Sequence, residues 1–120
     1  MKNIIILGND FNNFQKKYKT NQITFCSKFE VQILQNEIIV IDNFFENLSR
    51  RKMIRYLNIL EKAEIIKEII IIFKNINQNI KYKEWMEITI GIFEDCFVEI
   101  KKISESKVIT IIKKNKKLNN

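Results

Sequence analysis

The sequence predicts a single small α/β domain, a Rossmann-like (flavodoxin-like) three-layer fold with a mostly parallel five-stranded sheet. Three observations carry this expectation. Residues 69–73 read Ile-Ile-Ile-Ile-Phe between Glu68 and Lys74, a β-branched run without alternation, as in a strand buried on both faces. Residues 4–7 repeat the pattern and stop at Gly8-Asn9-Asp10. Between such runs apolar residues recur at helical spacing, so strands and helices alternate along the chain.

Taken in order, residues 4–7 form a first strand that turns sharply at its carboxyl end. Phe11, Phe14 and Tyr18 then fall at helical spacing over 11–20, with Lys16, Lys17 and Lys19 near the negative pole. A short strand follows at Ile23–Cys26. Val31 and Ile33 alternate with Glu30 and Gln32, and an apolar run at 38–41 ends at Asp42-Asn43. Two arrangements fit this region. Asn36 could take the positive φ of an antiparallel hairpin near 31–41, or 28–36 could be a shortened crossover between parallel strands at 23 and 38.

Asn47 and Ser49 are capping residues ahead of Met53, Ile54, Leu57, Leu60 and Ala63, which share one face of a helix over 48–63. The central strand and a polar turn through Asn75, Asn77, Gln78 and Asn79 come next. A long helix over 83–103 follows, its stripe running Trp85, Thr89, Ile92, Phe93, Cys96, Phe97, Ile100 and Ile103. Glu84 and Glu87 open its polar face and Lys101 and Lys102 close it, the order the helix dipole prefers. Residues 108–112 are the last strand. The domain is expected to span 1–112, with 113–120 a basic tail containing Lys113, Lys114, Lys116 and Lys117.

The chain has 120 residues, enough for one core without disulfides, and no composition shift or repeat marks a second domain. Cys26 and Cys96 lie in apolar segments and read as buried free thiols of a reducing compartment. There is no histidine, which excludes the common structural zinc sets and both Cys-His and Ser-His-Asp centres within the chain. The start of the chain lacks a signal-peptide pattern and no apolar run reaches membrane-spanning length, so a cytoplasmic protein is expected. The formal charge of +7 favours an acidic partner, nucleic acid or nucleotide. A protein partner is also compatible, and the oligomeric state is left open, a homodimer included.

Open α/β sheets bind ligands beyond the carboxyl ends of their strands, where strand order reverses. The residues there are Gly8, Asn9, Asp10 and Asn12 after the first strand, Ser27 and Lys28 after the second, Asp42 and Asn43 after the third, and Lys74, Asn75 and Asn77 after the central one. Were the first and third strands neighbours, Asp10 and Asp42 could hold a magnesium ion; as turn and cap residues they need no metal. Arg50, Arg51, Lys52 and Arg55 crowd the first turns of a helix, where the dipole disfavours cations. A bound phosphate would offset that cost, as would nearby carboxylates on a solvated face.

In outline, Asp10 after the first strand, Val40-Ile41-Asp42 at the end of a later one and a lysine after the last strand resemble the response-regulator receiver pattern. Asp10 stands alone where that family has an acidic pair, and Lys74 stands where it has a small hydroxyl residue; the assignment is not adopted. The functional expectation is a small basic binding protein for a phosphate-bearing ligand, RNA or a nucleotide such as a cyclic oligonucleotide. Its ligand-binding residues are Asn9, Asp10, Asn12, Asn43, Arg50, Arg51, Lys52, Arg55 and Lys74, with no cofactor beyond magnesium at Asp10 and Asp42. The alternatives are an inhibitor or subunit of a nucleic-acid-handling complex, and a phosphodiester or phosphoryl enzyme. The absence of histidine weighs against an enzyme.

Overall fold

A computed structural model describes residues 3–9, 12, 15, 16, 23–77 and 79–114. Six strands form one mixed sheet: β1 (Ile4–Gly8), β2 (Ile23–Cys26), β3 (Ile38–Asp42), β4 (Glu68–Phe73), β5 (Phe97–Lys102) and β6 (Val108–Lys113). Their spatial order is β2-β1-β3-β4-β6-β5. The first four run parallel, β6 is antiparallel to β4, and β5 is antiparallel to β6. Two α-helices lie wholly within the described residues, α1 (Arg50–Lys62) and α2 (Tyr82–Ile92).

Alternation along the strands decides how the layers stack. Ile39 and Ile41 of β3, Ile69, Ile71 and Phe73 of β4, and Val108 and Ile112 of β6 are fully buried, in one cluster with Met53, Leu57 and Leu60 of α1 and Trp85 of α2. Each such aliphatic side chain contributes about 1.5–3 kcal/mol on leaving water. Trp85 meets Phe73 edge-on at 4.7 Å between centroids, and its indole N–H donates to Thr110 Oγ1 at 2.9 Å inside the core. On the opposite face Ile38, Val40, Ile70, Ile72, Ile109 and Ile111 are only half-buried. The central strand is therefore sealed on one face and partly open on the other, where an unbroken apolar run had implied burial on both.

Ser49 caps α1 by accepting the Lys52 N–H on its hydroxyl at 3.2 Å, as the capping pattern predicts. At the other end of α1 the Lys114 ammonium donates to the carbonyls of Leu60 (2.7 Å) and Ala63, a cation at the negative pole of the helix. Lys113 closes β6, so these two lysines of the expected tail belong to the fold; residues 115–120 lie outside the described residues.

Three expectations change. The 31–41 hairpin does not form: residues 31–35 make a short 3-10 helix, and β2 and β3 both run parallel to β1, the crossover alternative. The sheet has six strands rather than five, because the helix placed over 83–103 stops at Ile92 and its last third is β5. Phe97, Ile100 and Ile103 fit a helical stripe, but Val98-Glu99-Ile100-Lys101 also alternates apolar and charged, and pairing with β6 satisfies one side of the strand's backbone. Gly91 and the turn at 93–96 end the helix before that choice. The helix expected over 11–20 falls mostly outside the described residues; Asn12, Gln15 and Lys16 are helical and exposed.

Candidate functional site

Parallel pairing brings Gly8, Cys26, Asp42 and Phe73, the last residues of β1 to β4, to one edge of the sheet. Strand order reverses between β1 and β3, whose final residues Gly8 and Asp42 are register partners. A Cβ on residue 8 would come within 3.3 Å of the Asp42 carbonyl oxygen and 3.5 Å of the Phe25 ring, so glycine lets the strand ends close on each other. Beyond them Asn43 takes a left-handed backbone at φ 54°, a conformation asparagine tolerates better than most residues. Its N–H donates to Ile72 O at 3.0 Å and its carbonyl accepts from Asn9 Nδ2 at 3.1 Å, which ties the exits of β1, β3 and β4 together. The Asn43 Oδ1 is buried and has no hydrogen-bond partner among the described residues. Such an atom carries a desolvation cost of about 1–3 kcal/mol that a donor from a ligand would remove.

The loop after β2 is held by its own contacts. The Cys26 thiol donates to Lys28 O at 2.8 Å, lies 3.6 Å from Glu30 Oε2, and accepts from Gln32 Nε2 at 3.5 Å. Phe29 stacks flat on Tyr56 of α1, centroids 4.0 Å apart and planes within 3°. The exposed Glu30 carboxylate is thereby kept beside the end of β2. Across the edge, the buried Glu46 accepts the Asn75 N–H on its carboxylate, and Asn79 Nδ2 donates to the Glu46 carbonyl. These bonds fasten the loop after β4 to the turn after β3.

Of the residues the sequence nominates, Asn9, Asp42 and Asn43 meet at the switch point. Asp10 lies outside the described residues, and no cluster of metal-ligating side chains occurs among the described ones. Asn12 and Lys74 are exposed. Arg51, Lys52 and Arg55 are exposed on α1, while Arg50 is ion-paired with Glu84 in the first turn of α2. The anion facing the start of α1 is thus a carboxylate of the same chain, and the pair links the two helices. Glu30, Cys26 and Glu46 were not anticipated as part of this edge. Glu46 gave no signal in sequence because its work is done by a 3-10 turn and a contact 29 residues away.

No protein-family model and no curated protein matches the sequence. Solved structures match almost the whole chain. The methyltransferase domain of bacterial CtHen1-C superposes with a TM-score of 0.69 at 12% identity, covering 93% of this chain and 89% of that one. A TehB-like SAM-dependent methyltransferase from Corynebacterium glutamicum gives 0.60 at 10% identity, covering 95% and 81%. The fold is similar to that of SAM-dependent methyltransferases. A chain of the Pnkp1/Rnl/Hen1 RNA repair complex also matches, with a TM-score of 0.58 at 9% identity, covering 94% of this chain and 37% of that one.

These likenesses correct the functional expectation. A sheet of this methyltransferase-like type, and an Arg50 engaged by Glu84, replace both the phosphate-ligand binding module built on the α1 arginines and the inhibitor reading. The same likeness lends no support to the phosphodiester or phosphoryl enzyme. No helix among the described residues is long and apolar enough to cross a membrane.

Proposed function

We propose that this chain is a methyltransferase that binds S-adenosylmethionine across the carboxyl ends of β1, β2 and β3. The observation that carries the reading is the switch point at Gly8 and Asp42, in a sheet whose antiparallel β6 lies between β4 and β5, matched over 93% of the chain by a methyltransferase domain. The donor set fits the cofactor. The buried, unsatisfied Asn43 Oδ1 is an acceptor for an amine or ammonium group, Gly8 lets the ends of β1 and β3 close beneath it, and Glu30 offers a carboxylate to ribose hydroxyls, the role such a residue plays at Rossmann switch points. When bound, S-adenosylmethionine supplies a methyl group on a positively charged sulfur. The chain's own part is to bind and orient: Asn9 and Asn43 join the loops beneath the ligand, and Glu46 holds the 74–79 loop where an acceptor would approach.

For the acceptor, the +7 charge and the occurrence of this fold in an RNA repair complex support RNA as the first class to test. Titration calorimetry with S-adenosylmethionine and with S-adenosylhomocysteine tests the cofactor reading. Binding is expected, and Asn43→Ala or Glu30→Ala should weaken it by about tenfold, the worth of one hydrogen bond to a charged group. Absence of binding by the folded protein at millimolar ligand would reject it.

A further inference from the structure

The outer edge of β5 is a self-complementary docking surface, and we propose that two copies of this chain join there through antiparallel β5–β5 pairing into one continuous twelve-stranded sheet, about twice the six strands of a single copy. β5 ends the strand order, so no strand covers its outer side among the described residues. The backbone restricts how a second copy can add. The Ile103 N–H donates to Lys107 O across the β5–β6 hairpin at 2.9 Å. By alternation the odd residues of β5 turn their amides toward β6, and Val98, Ile100 and Lys102 turn theirs outward. A partner strand must set its own outward residues against these. That excludes every register in which even residues face odd ones.

Charge then chooses among the registers that remain. Phe97, Glu99, Lys101 and Ile103 lie on one face and are all exposed, Phe97 at 57% and Ile103 at 54%, the Glu99 and Lys101 side chains at 62% and 54%. Centring the two-fold axis on Glu99 sets Glu99 against its own copy and Phe97 against Lys101. Centring it on Lys101 sets lysine against lysine. With the axis on Ile100, Glu99 faces Lys101 of the second copy twice, and Phe97 faces Ile103 twice. Both exposed apolar residues find apolar partners, both charges find opposite ones, and Ile100 bonds to Ile100 through its outward amide and carbonyl. The present Glu99–Lys101 contact of 3.6 Å within one strand is exchanged for two contacts between strands. A hollow of about 470 Å³ lined by Phe97, Val98, Glu99, Ile111 and Lys113 opens beside this row, where the incoming Ile103 would arrive.

Lysines on an edge ordinarily oppose such pairing, and the +7 charge repels a second copy at long range. The association is therefore expected at physiological salt, where screening acts over about 8 Å, and at high protein concentration. The test is sedimentation velocity on the full chain with two exposed charge reversals. Wild type should shift with concentration from the 14.5 kDa monomer toward a dimer. Glu99→Lys and Lys101→Glu should each raise the dissociation constant by about tenfold or more, since each turns two attractive cross-strand pairs repulsive. Mixing the two variants in equal amounts should restore dimers, because each strand then meets its opposite. A wild type that stays monomeric at hundreds of micromolar (an approximate ceiling set by solubility at this net charge), single reversals that dimerise as wild type does, or a mixture that stays monomeric would each overturn the proposal. None of these outcomes depends on cofactor binding.

Discussion

The parallel half of the sheet and its antiparallel extension contrast in what their ends are made of. β1, β3 and β4 are largely isoleucine, and each of the four parallel strands runs out at one edge into glycine, cysteine, aspartate or phenylalanine followed by polar loop residues. β5 carries Glu99, Lys101 and Lys102 along its length and exposes them together with Phe97, while β6, which joins it to β4, is uncharged up to its last residue, Lys113. Parallel connection gathers loop ends on one rim and creates a place for a ligand. Antiparallel extension leaves a flank, and creates a place for another strand.

The largest test of this division removes what joins the halves. Trp85 packs on Phe45 and Phe73 and bonds Thr110 of β6, so Trp85→Ala should cost about 3–5 kcal/mol in denaturant unfolding. A loss below 1 kcal/mol, about the cost of a surface change, would mean that the β4–β6 backbone ladder holds the antiparallel pair without help from Trp85. Thr110→Val keeps the shape and strands the indole N–H in the core; about 1–3 kcal/mol should be lost. Cofactor affinity at a temperature where the protein is folded should not move, because the rim lies elsewhere. The smallest effect belongs to Ser49→Ala, which removes the α1 cap for about 1 kcal/mol and is read in the same unfolding experiment.

How legible each region is in the sequence follows the same division. Short unbroken runs identify β1, β3 and β4 because their length and β-branched residues suit a strand better than a helix, and the order of helices and strands leads to the carboxyl rim where Asn9, Asp42 and Asn43 meet. β5 escaped because Phe97, Ile100 and Ile103 keep a three-residue spacing while Val98-Glu99-Ile100-Lys101 keeps a two-residue one; only pairing with β6 chooses between them. The arginines of α1 misled for a related reason. Their unfavourable position at a helix start is visible locally, whereas the Glu84 that answers it lies 34 residues on from Arg50 and becomes a neighbour only when α1 packs on α2. Glu46 and the Cys26–Glu30 cluster are likewise products of tertiary closure.

The central claim, that the rim formed by the parallel strands takes S-adenosylmethionine, is tested most directly by following backbone amide resonances during titration with S-adenosylhomocysteine. Saturable shifts at Gly8, Asn9, Cys26, Glu30 and Asn43, with Val98 to Lys102 unmoved, are the predicted result. Shifts confined to β5 and β6, or none at saturating ligand, would contradict it.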